Sequence, residues 1–275
     1  MRYLLTTLCL MLATGVFAND FITITTDNTC LLLKVNEKKK LEQSYFGKKT
    51  RHLDELEKVP LKDYNAYAAF GTNHVFEAAL RVTHADGNTS TDLVYISSKS
   101  DRPDDNIIHT VISLKDVYYG LYVDLHYNAY QKENIIGQWA EIRNAENNSV
   151  RLENFASSDL SFYAKNYFVS QFHGDWSEEM NIAEQELTPG IKIIDSKLGV
   201  RTNQYTHPCF LLSLDNPVEE NHGEVIGGTL AWPGNFQFCF EVNNDRELRV
   251  LSGINPYASA YTWLLYTSPS PRDST

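Results

Sequence analysis

Leu121-Tyr122-Val123-Asp124-Leu125-His126-Tyr127-Asn128 decides the fold class. Leu121, Val123, Leu125 and Tyr127 alternate with Tyr122, Asp124, His126 and Asn128. Successive side chains of an extended strand point to opposite faces, so this stretch has one apolar and one polar face. The same period of two sets Phe236, Phe238, Phe240 and Val242 against Gln237, Cys239 and Glu241. Residues 21–25 alternate as well, and residues 30–35 form a more continuous apolar run. Residues 76–82 and 93–96 read as strands flanking Ala85-Asp86-Gly87-Asn88, a strong turn signal. Residues 53–59 read as one short helix closed by Pro60. No helical pattern recurs between the strands, so the βα alternation of a TIM barrel is missing. The prediction is an all-β chain: a large antiparallel β-sandwich with at most one or two short helices.

Composition agrees with a packed domain. With 43% hydrophobic and 12% aromatic residues over 275 positions, the chain can bury a substantial core. A formal net charge of −11 argues against a nucleic-acid partner, because phosphate binding needs clustered Lys and Arg. The one dense basic run, Lys38-Lys39-Lys40, lies between Glu37 and Glu42 and reads as a solvated turn.

Residues 1–18 read as a secretory signal, with Arg2 in the positive n-region, an apolar core from Tyr3 to Gly15 and Val16-Phe17-Ala18 at the cleavage site. That apolar run is too short for a membrane span, and no later segment comes closer. The expected location is therefore secreted or periplasmic. Cys30, Cys209 and Cys239 remain after cleavage. Three such widely spaced cysteines make neither a disulfide framework nor a zinc site; one bridge with one free thiol and three buried thiols both stay open. Residues 19–263 are the expected domain. Residues 264–275 are polar and Pro-rich, with no packable face, and resemble translated adapter sequence; they read as a non-native tail.

Two further blocks bear on function. The first is Phe172-His173-Gly174-Asp175-Trp176-Ser177-Glu178-Glu179, followed by Leu187-Thr188-Pro189-Gly190 and Asp195-Ser196-Lys197-Leu198-Gly199. The second is Thr202-Asn203-Gln204-Tyr205-Thr206-His207-Pro208-Cys209-Phe210. Their order resembles the N-terminal β-domain of family 36 glycoside hydrolases, the bacterial α-galactosidases, with its Gly-x-Trp-x-x-Glu segment, Pro-Gly turn and His or Asn before Pro-Phe. The resemblance runs from about Ile22 to Trp263. It takes in Leu41-Glu42-Gln43-Ser44-Tyr45-Phe46-Gly47, Phe70-Gly71-Thr72, Trp232-Pro233-Gly234-Asn235-Phe236 and Ser252-Gly253-Ile254-Asn255-Pro256. The chain departs from the family at Asn73-His74-Val75-Phe76, where a Gly-Asp precedes an Arg, and at Pro233, where a Ser is usual.

The resemblance implies a β-supersandwich that precedes a catalytic barrel in a longer protein. The parent would hydrolyse terminal α-galactosides of the melibiose and raffinose type with retention. Such enzymes use two carboxyl groups about 5–5.5 Å apart, both placed by the family on barrel strands. No segment here resembles that setting. The doublets Asp104-Asp105, Glu178-Glu179 and Glu219-Glu220 are sequence neighbours that a strand would send to opposite faces. No catalytic residue is assigned, and this chain alone is expected to be inactive. An aromatic face that stacks on the C–H surface of galactose, with amides and carboxylates for its hydroxyls, is a different matter. The expected substrate-binding set is Trp176, Asp175, His173, His74 and Asn203, with His207 nearby; Trp139 and Trp232 are assigned to packing. The expected partners are α-galactoside oligosaccharides, the chain's own barrel and further copies in a homo-oligomer. No cofactor or metal is expected, since the His residues are scattered without ligand spacing. Asn88-Thr89-Ser90 and Asn147-Asn148-Ser149 are glycosylation sequons. The rival reading is a stand-alone galactoside-binding module without catalysis, and a third is a surface sandwich without ligand.

Overall fold

The computed structural model describes residues 20–50, 64–71, 76–263 and 266–267. The signal expected over residues 1–18, the helix expected over residues 53–59 and His74 lie outside the described residues.

The chain opens with β1 (Asp20–Thr25), β2 (Thr29–Val35), β3 (Leu41–Lys48) and β4 (Tyr64–Asn65), paired antiparallel in that order. Asn36 shapes the β2–β3 turn: its Oδ1 accepts the backbone N–H groups of Lys38 and Lys40, each at 2.9 Å. The lysine run is thus a turn, as read, but Lys40 leans back to pair with Asp92.

After β5 (Leu80–Thr83) comes a meander of β6 (Leu93–Asp101), β7 (Ile107–Asp116), β8 (Leu121–Tyr130) and β9 (Ile135–Asn144). The stretch that opened the sequence reading is β8, and Leu121, Val123, Leu125 and Tyr127 are buried as its alternation requires. Two details depart from expectation. Residues 76–79 are not strand, because β5 begins only at Leu80. The turn at Ala85-Asp86-Gly87-Asn88 forms, with Gly87 at φ +88°, but it is no hairpin: β5 pairs with a later strand and β6 with β7. A turn signal fixes local geometry, whereas strand pairing is set by which faces must be buried.

The rest is β10 (Val150–Tyr163), β11 (Tyr167–His173), β12 (Asn181–Glu186), β13 (Gly190–Asp195), β14 (Thr206–Leu214), β15 (Val225–Thr229), β16 (Phe236–Val242), β17 (Glu247–Ile254), β18 (Tyr261–Trp263) and β19 (Tyr266–Thr267). A 3₁₀ turn, Gly199–Arg201, is the one helical element among the described residues. Sheet order is β13-β16-β17-β10-β18 with β5 also on β10, then β12-β11-β14-β15, then β19-β9-β8-β7-β6. Every strand pair is antiparallel. Tyr266 and Thr267, inside the segment read as a non-native tail, pair with Asn144 and Arg143 of β9.

Strand β10 organises the molecule. Register shifts near Asn154 and Ser158 bend it, so its first half pairs with β5 and β18 and its second half with β17. Two cores result. One lies among the β1–β4 sheet, the β6–β9 meander and one face of the β10–β17 region. The other fills the space between the opposite face and the β11–β14 sheet, with Phe236, Phe238, Phe240 and Phe210 at its centre. Phe210 meets Phe238 and Phe240 edge-to-face, at 5.0 and 4.9 Å between centroids. β16 therefore buries both faces, since Cys239 joins the first core. Its alternation marked strand correctly but did not mark a solvent face.

Between the cores sits a buried ion pair. Arg249 Nη2 donates to Asp159 Oδ2 at 2.7 Å, and the same oxygen accepts the N–H of Ala68 at 3.0 Å. Arg249 Nη1 donates to the Glu77 carbonyl at 2.7 Å. The pair thereby ties the segments at residues 66–69 and 76–79 to the central sheet.

Candidate functional site: the Trp176 loop

Strand β11 ends at His173, where it pairs with Asn181 of β12 on one side and Thr206 of β14 on the other. Both sequence blocks singled out for sugar contact thus meet at one end of the β12-β11-β14-β15 sheet. Gly174 N–H donates to the Tyr205 carbonyl at 3.1 Å, which joins the Trp176 loop to the Asn203–Tyr205 segment.

The loop over residues 174–180 is tight and internally braced. Trp176 N–H donates to Asp175 Oδ1 at 2.7 Å, and Glu178 N–H to the Asp175 carbonyl at 2.9 Å. Ser177 N–H reaches Glu179 Oε1 at 3.1 Å, and Asn181 Nδ2 closes the base on the Glu178 carbonyl at 2.8 Å. Ser177 and Met180 stand at φ +70° and +59°, a region that side-chain-bearing residues enter at a cost. Gly174 is required for another reason. A Cβ there would run into the Glu178 carbonyl and come within 2.9 Å of the Glu179 Cα. Backbone hydrogen bonds and close packing thus hold Trp176 out, with 90% of its surface exposed.

The predicted residues fall into place unevenly. Trp176 and Asp175 lie on the loop, His173 at its root, Asn203 exposed in the neighbouring segment, and His207 partly buried on β14. Asp175 spends one carboxylate oxygen on the backbone of Trp176, a positioning task. Composition alone did not reveal the loop's apolar surroundings: Met180, Ile182 and Tyr205 are all exposed. Ile182 sits in β12, whose alternation is too polar overall to draw attention.

The acidic doublets do structural work or stand in solvent. Asp104 Oδ1 caps the β6–β7 turn, accepting from Asn106 and Ile107 N–H at 2.7 and 2.9 Å. Glu178 and Glu179 are exposed on the Trp176 loop, and Glu219 bonds His222 through backbone in a short turn. Among the described residues, no group of His, Cys, Asp or Glu is arranged to hold a metal ion. Cys30, Cys209 and Cys239 are free thiols, and burial pushes the Cys239 thiol up to about 12.

The two tryptophans read as packing residues diverge. Trp232 packs against both cores and donates its Nε1–H to the Asn235 carbonyl at 3.1 Å. Trp139 lies instead on the outer face of the meander. Its indole is near-parallel to His126 and His109, with centroids 4.7 and 5.8 Å away. Ala140 and Ile142 take the inward face of β9, so the pleat turns Trp139 outward.

Comparison with known proteins places this architecture. The model for the glycosyl hydrolase family 36 N-terminal domain matches residues 39–265. Alpha-galactosidase AgaA of Geobacillus stearothermophilus is 30% identical over 218 residues, which make 74% of this chain and 29% of that protein. Alpha-galactosidase Mel36A of Lactobacillus acidophilus is 26% identical over 70% of this chain and 28% of its own length. Among solved structures, a variant of AgaA in complex with raffinose superposes with a TM-score of 0.82 at 25% identity, over 91% of this chain and 39% of that one. The alpha-galactosidase from Lactobacillus brevis shares the fold, with a TM-score of 0.79 at 24% identity over 92% and 39% of the two chains. The chain therefore spans under a third of the length of these two curated relatives, and it belongs to glycosyl hydrolase family 36 through that family's N-terminal domain.

Proposed function

We propose that this chain is the N-terminal β-domain of a secreted α-galactosidase, in which it buttresses a catalytic barrel and completes the sugar pocket through Trp176. The parent hydrolyses terminal α-galactosyl groups of melibiose- and raffinose-type sugars with retention, using two carboxyl groups supplied outside this chain. The observation that carries the reading is the Trp176 loop: a rigid, hydrogen-bonded turn that presents a nearly fully exposed indole at one end of a family 36 domain. An indole so held keeps its face for the C–H surface of a galactosyl unit and loses little entropy on binding. Met180 and Ile182 at the foot of the loop and Tyr205 beside it form apolar surface suited to burial against the barrel, and Ile191 and Ile193 on β13 offer further surface for homo-oligomer contacts.

Galactose release from melibiose and raffinose tests the proposal. Purified residues 19–263 are expected to release none. Turnover by that chain alone would place the catalytic carboxylates within it and end the proposal.

A further inference from the structure

Far from Trp176 in the fold, the β7–β8 hairpin has an unusual tip, Val117-Tyr118-Tyr119-Gly120, with Val117 and Tyr118 exposed. Tight turns normally take Gly, Asn, Asp or Ser because those residues supply the local geometry. Here Asp116 supplies it instead. Its fully buried carboxylate accepts the N–H groups of Tyr118 and Tyr119 through Oδ1, at 2.7 and 2.8 Å, and that of Asp92 through Oδ2 at 2.6 Å. The tip residues are thereby released from turn duty, and two of them are tyrosines.

Tyr119 is locked in place. Its ring stacks on His84 at 3.7 Å and 9°. Its hydroxyl donates to Asp86 Oδ2 at 2.9 Å and accepts from Asn88 Nδ2 at 2.8 Å. Behind it, His84 is itself held between Glu146 at 2.8 Å and Thr91 at 3.0 Å. Tyr118, by contrast, stands 82% exposed. Between these rings and the segment at residues 88–92 opens a cleft of about 350 Å³, lined by Asn88, Ser90, Asp92, Tyr118 and Tyr119.

We infer that this cleft is a second saccharide-binding site, built for a single neutral hexopyranosyl unit and separate from the Trp176 loop. Its size lies at the lower end of small-ligand sites, which hold about 300–1,000 Å³, so it suits one sugar ring rather than a chain. The exposed Tyr118 ring offers a face for sugar C–H groups, and the Ser90 hydroxyl and the Asp92 carboxylate line the same space to meet hydroxyls. The Asn88 amide, bonded to the Tyr119 hydroxyl and the Ser90 N–H, holds the wall in place. The carboxylates of Asp86 and Asp92 disfavour a phosphorylated or acidic sugar, while Lys40 beside Asp92 offsets part of that charge. The braced scaffold around Tyr119 means that little ordering is needed on binding. The inference goes beyond the proposed role of Trp176 and does not depend on it: the cleft belongs to the β6–β9 meander, and Trp176 to the sheet beyond the other core.

Saturation-transfer NMR of the whole chain with methyl α-D-galactopyranoside and raffinose tests it. A saturable signal is expected, unchanged in Trp176→Ala and weakened about tenfold in Tyr118→Ala by loss of one aromatic face. Tyr118 bears on no core, so its variant should melt as the parent does. Asp92→Asn supplies a second variant, expected to alter which sugar protons receive saturation. Absence of any saturable signal would overturn the inference. So would a signal lost in Trp176→Ala and kept in Tyr118→Ala, which would assign the sugar to the loop. Self-association that Tyr118→Ala abolishes, with no sugar signal, would instead give the tip to a second copy and overturn it equally.

Discussion

The centre of the sandwich and the Trp176 end are built by opposite rules. At the centre, the Asp159 carboxylate is removed from solvent, and Arg249 and the Ala68 N–H meet one of its oxygens. Around it, the phenylalanines of the second core pack edge to face. At the Trp176 end the backbone is just as well bonded, but its large side chains point into solvent. Order without burial is what a surface awaiting a partner looks like; order with burial is what a fold needs for itself. The difference teaches that stability and function are separable here by position, and substitutions can test that separation.

The largest expected effects lie at the centre. Phe238→Ala should cost about 3–5 kcal/mol, from lost transfer energy and the cavity left between Phe210 and Phe236. Arg249→Ala should cost a similar ~3–5 kcal/mol by leaving Asp159 buried without its cation. Urea titrations of both against Trp176→Ala sharpen the comparison, because the Trp176 change should stay within about 0.5 kcal/mol. A Trp176→Ala chain that unfolds as early as Phe238→Ala would break it.

Gly174→Ala is the intermediate case. Its methyl meets the Glu178 carbonyl and the Glu179 Cα, so the loop must shift, at about 1–3 kcal/mol. Amide exchange should show the loss confined to residues near 174–181 and 203–205, with the phenylalanine core still protected.

Smaller effects concern titration at the centre. Burial lifts the Glu241 carboxyl above its ordinary value of 4.5, although Glu77 N–H and Arg249 pull the other way. A carboxyl whose folded pKa exceeds its unfolded pKa disfavours its ionised form in the fold. The wild type should therefore gain stability relative to Glu241→Gln as pH falls from neutral through the raised folded pKa toward 4.5. Melting temperatures of the two chains across that window check the sign. Smallest is a difference in rate: alkylation at mildly alkaline pH should reach Cys209 well before Cys239, whose thiol burial holds near 12.

Much of this was legible in the sequence, for a physical reason. A period of two survives wherever one strand face is wet, and β8 and β1 were read correctly on that basis. Legibility failed where the pattern is not local. The alternation of β16 suggests a polar face, yet Cys239 on that face is buried, because a second sheet covers it. The turn at Gly87 was found, but its flanking strands pair elsewhere, which sequence spacing does not encode. At the candidate site, the blocks around Trp176 and Asn203 were identified separately, and their meeting through Gly174 and Tyr205 needed the β11–β14 register. Trp139 was assigned to packing without a face, and the β9 pleat decides which: it turns the indole outward to stack on two imidazoles.

The most direct test of the central claim joins residues 20–263 to the catalytic portion of a family 36 relative such as AgaA and measures kcat/KM for raffinose with and without Trp176→Ala. The account predicts an active chimera whose kcat/KM falls at least about tenfold in Trp176→Ala, roughly the 1.4 kcal/mol of one lost stacking face, with the melting temperature unchanged. Equal kcat/KM in the two chimeras, both folded, would contradict it and leave the exposed indole without a part in the sugar pocket.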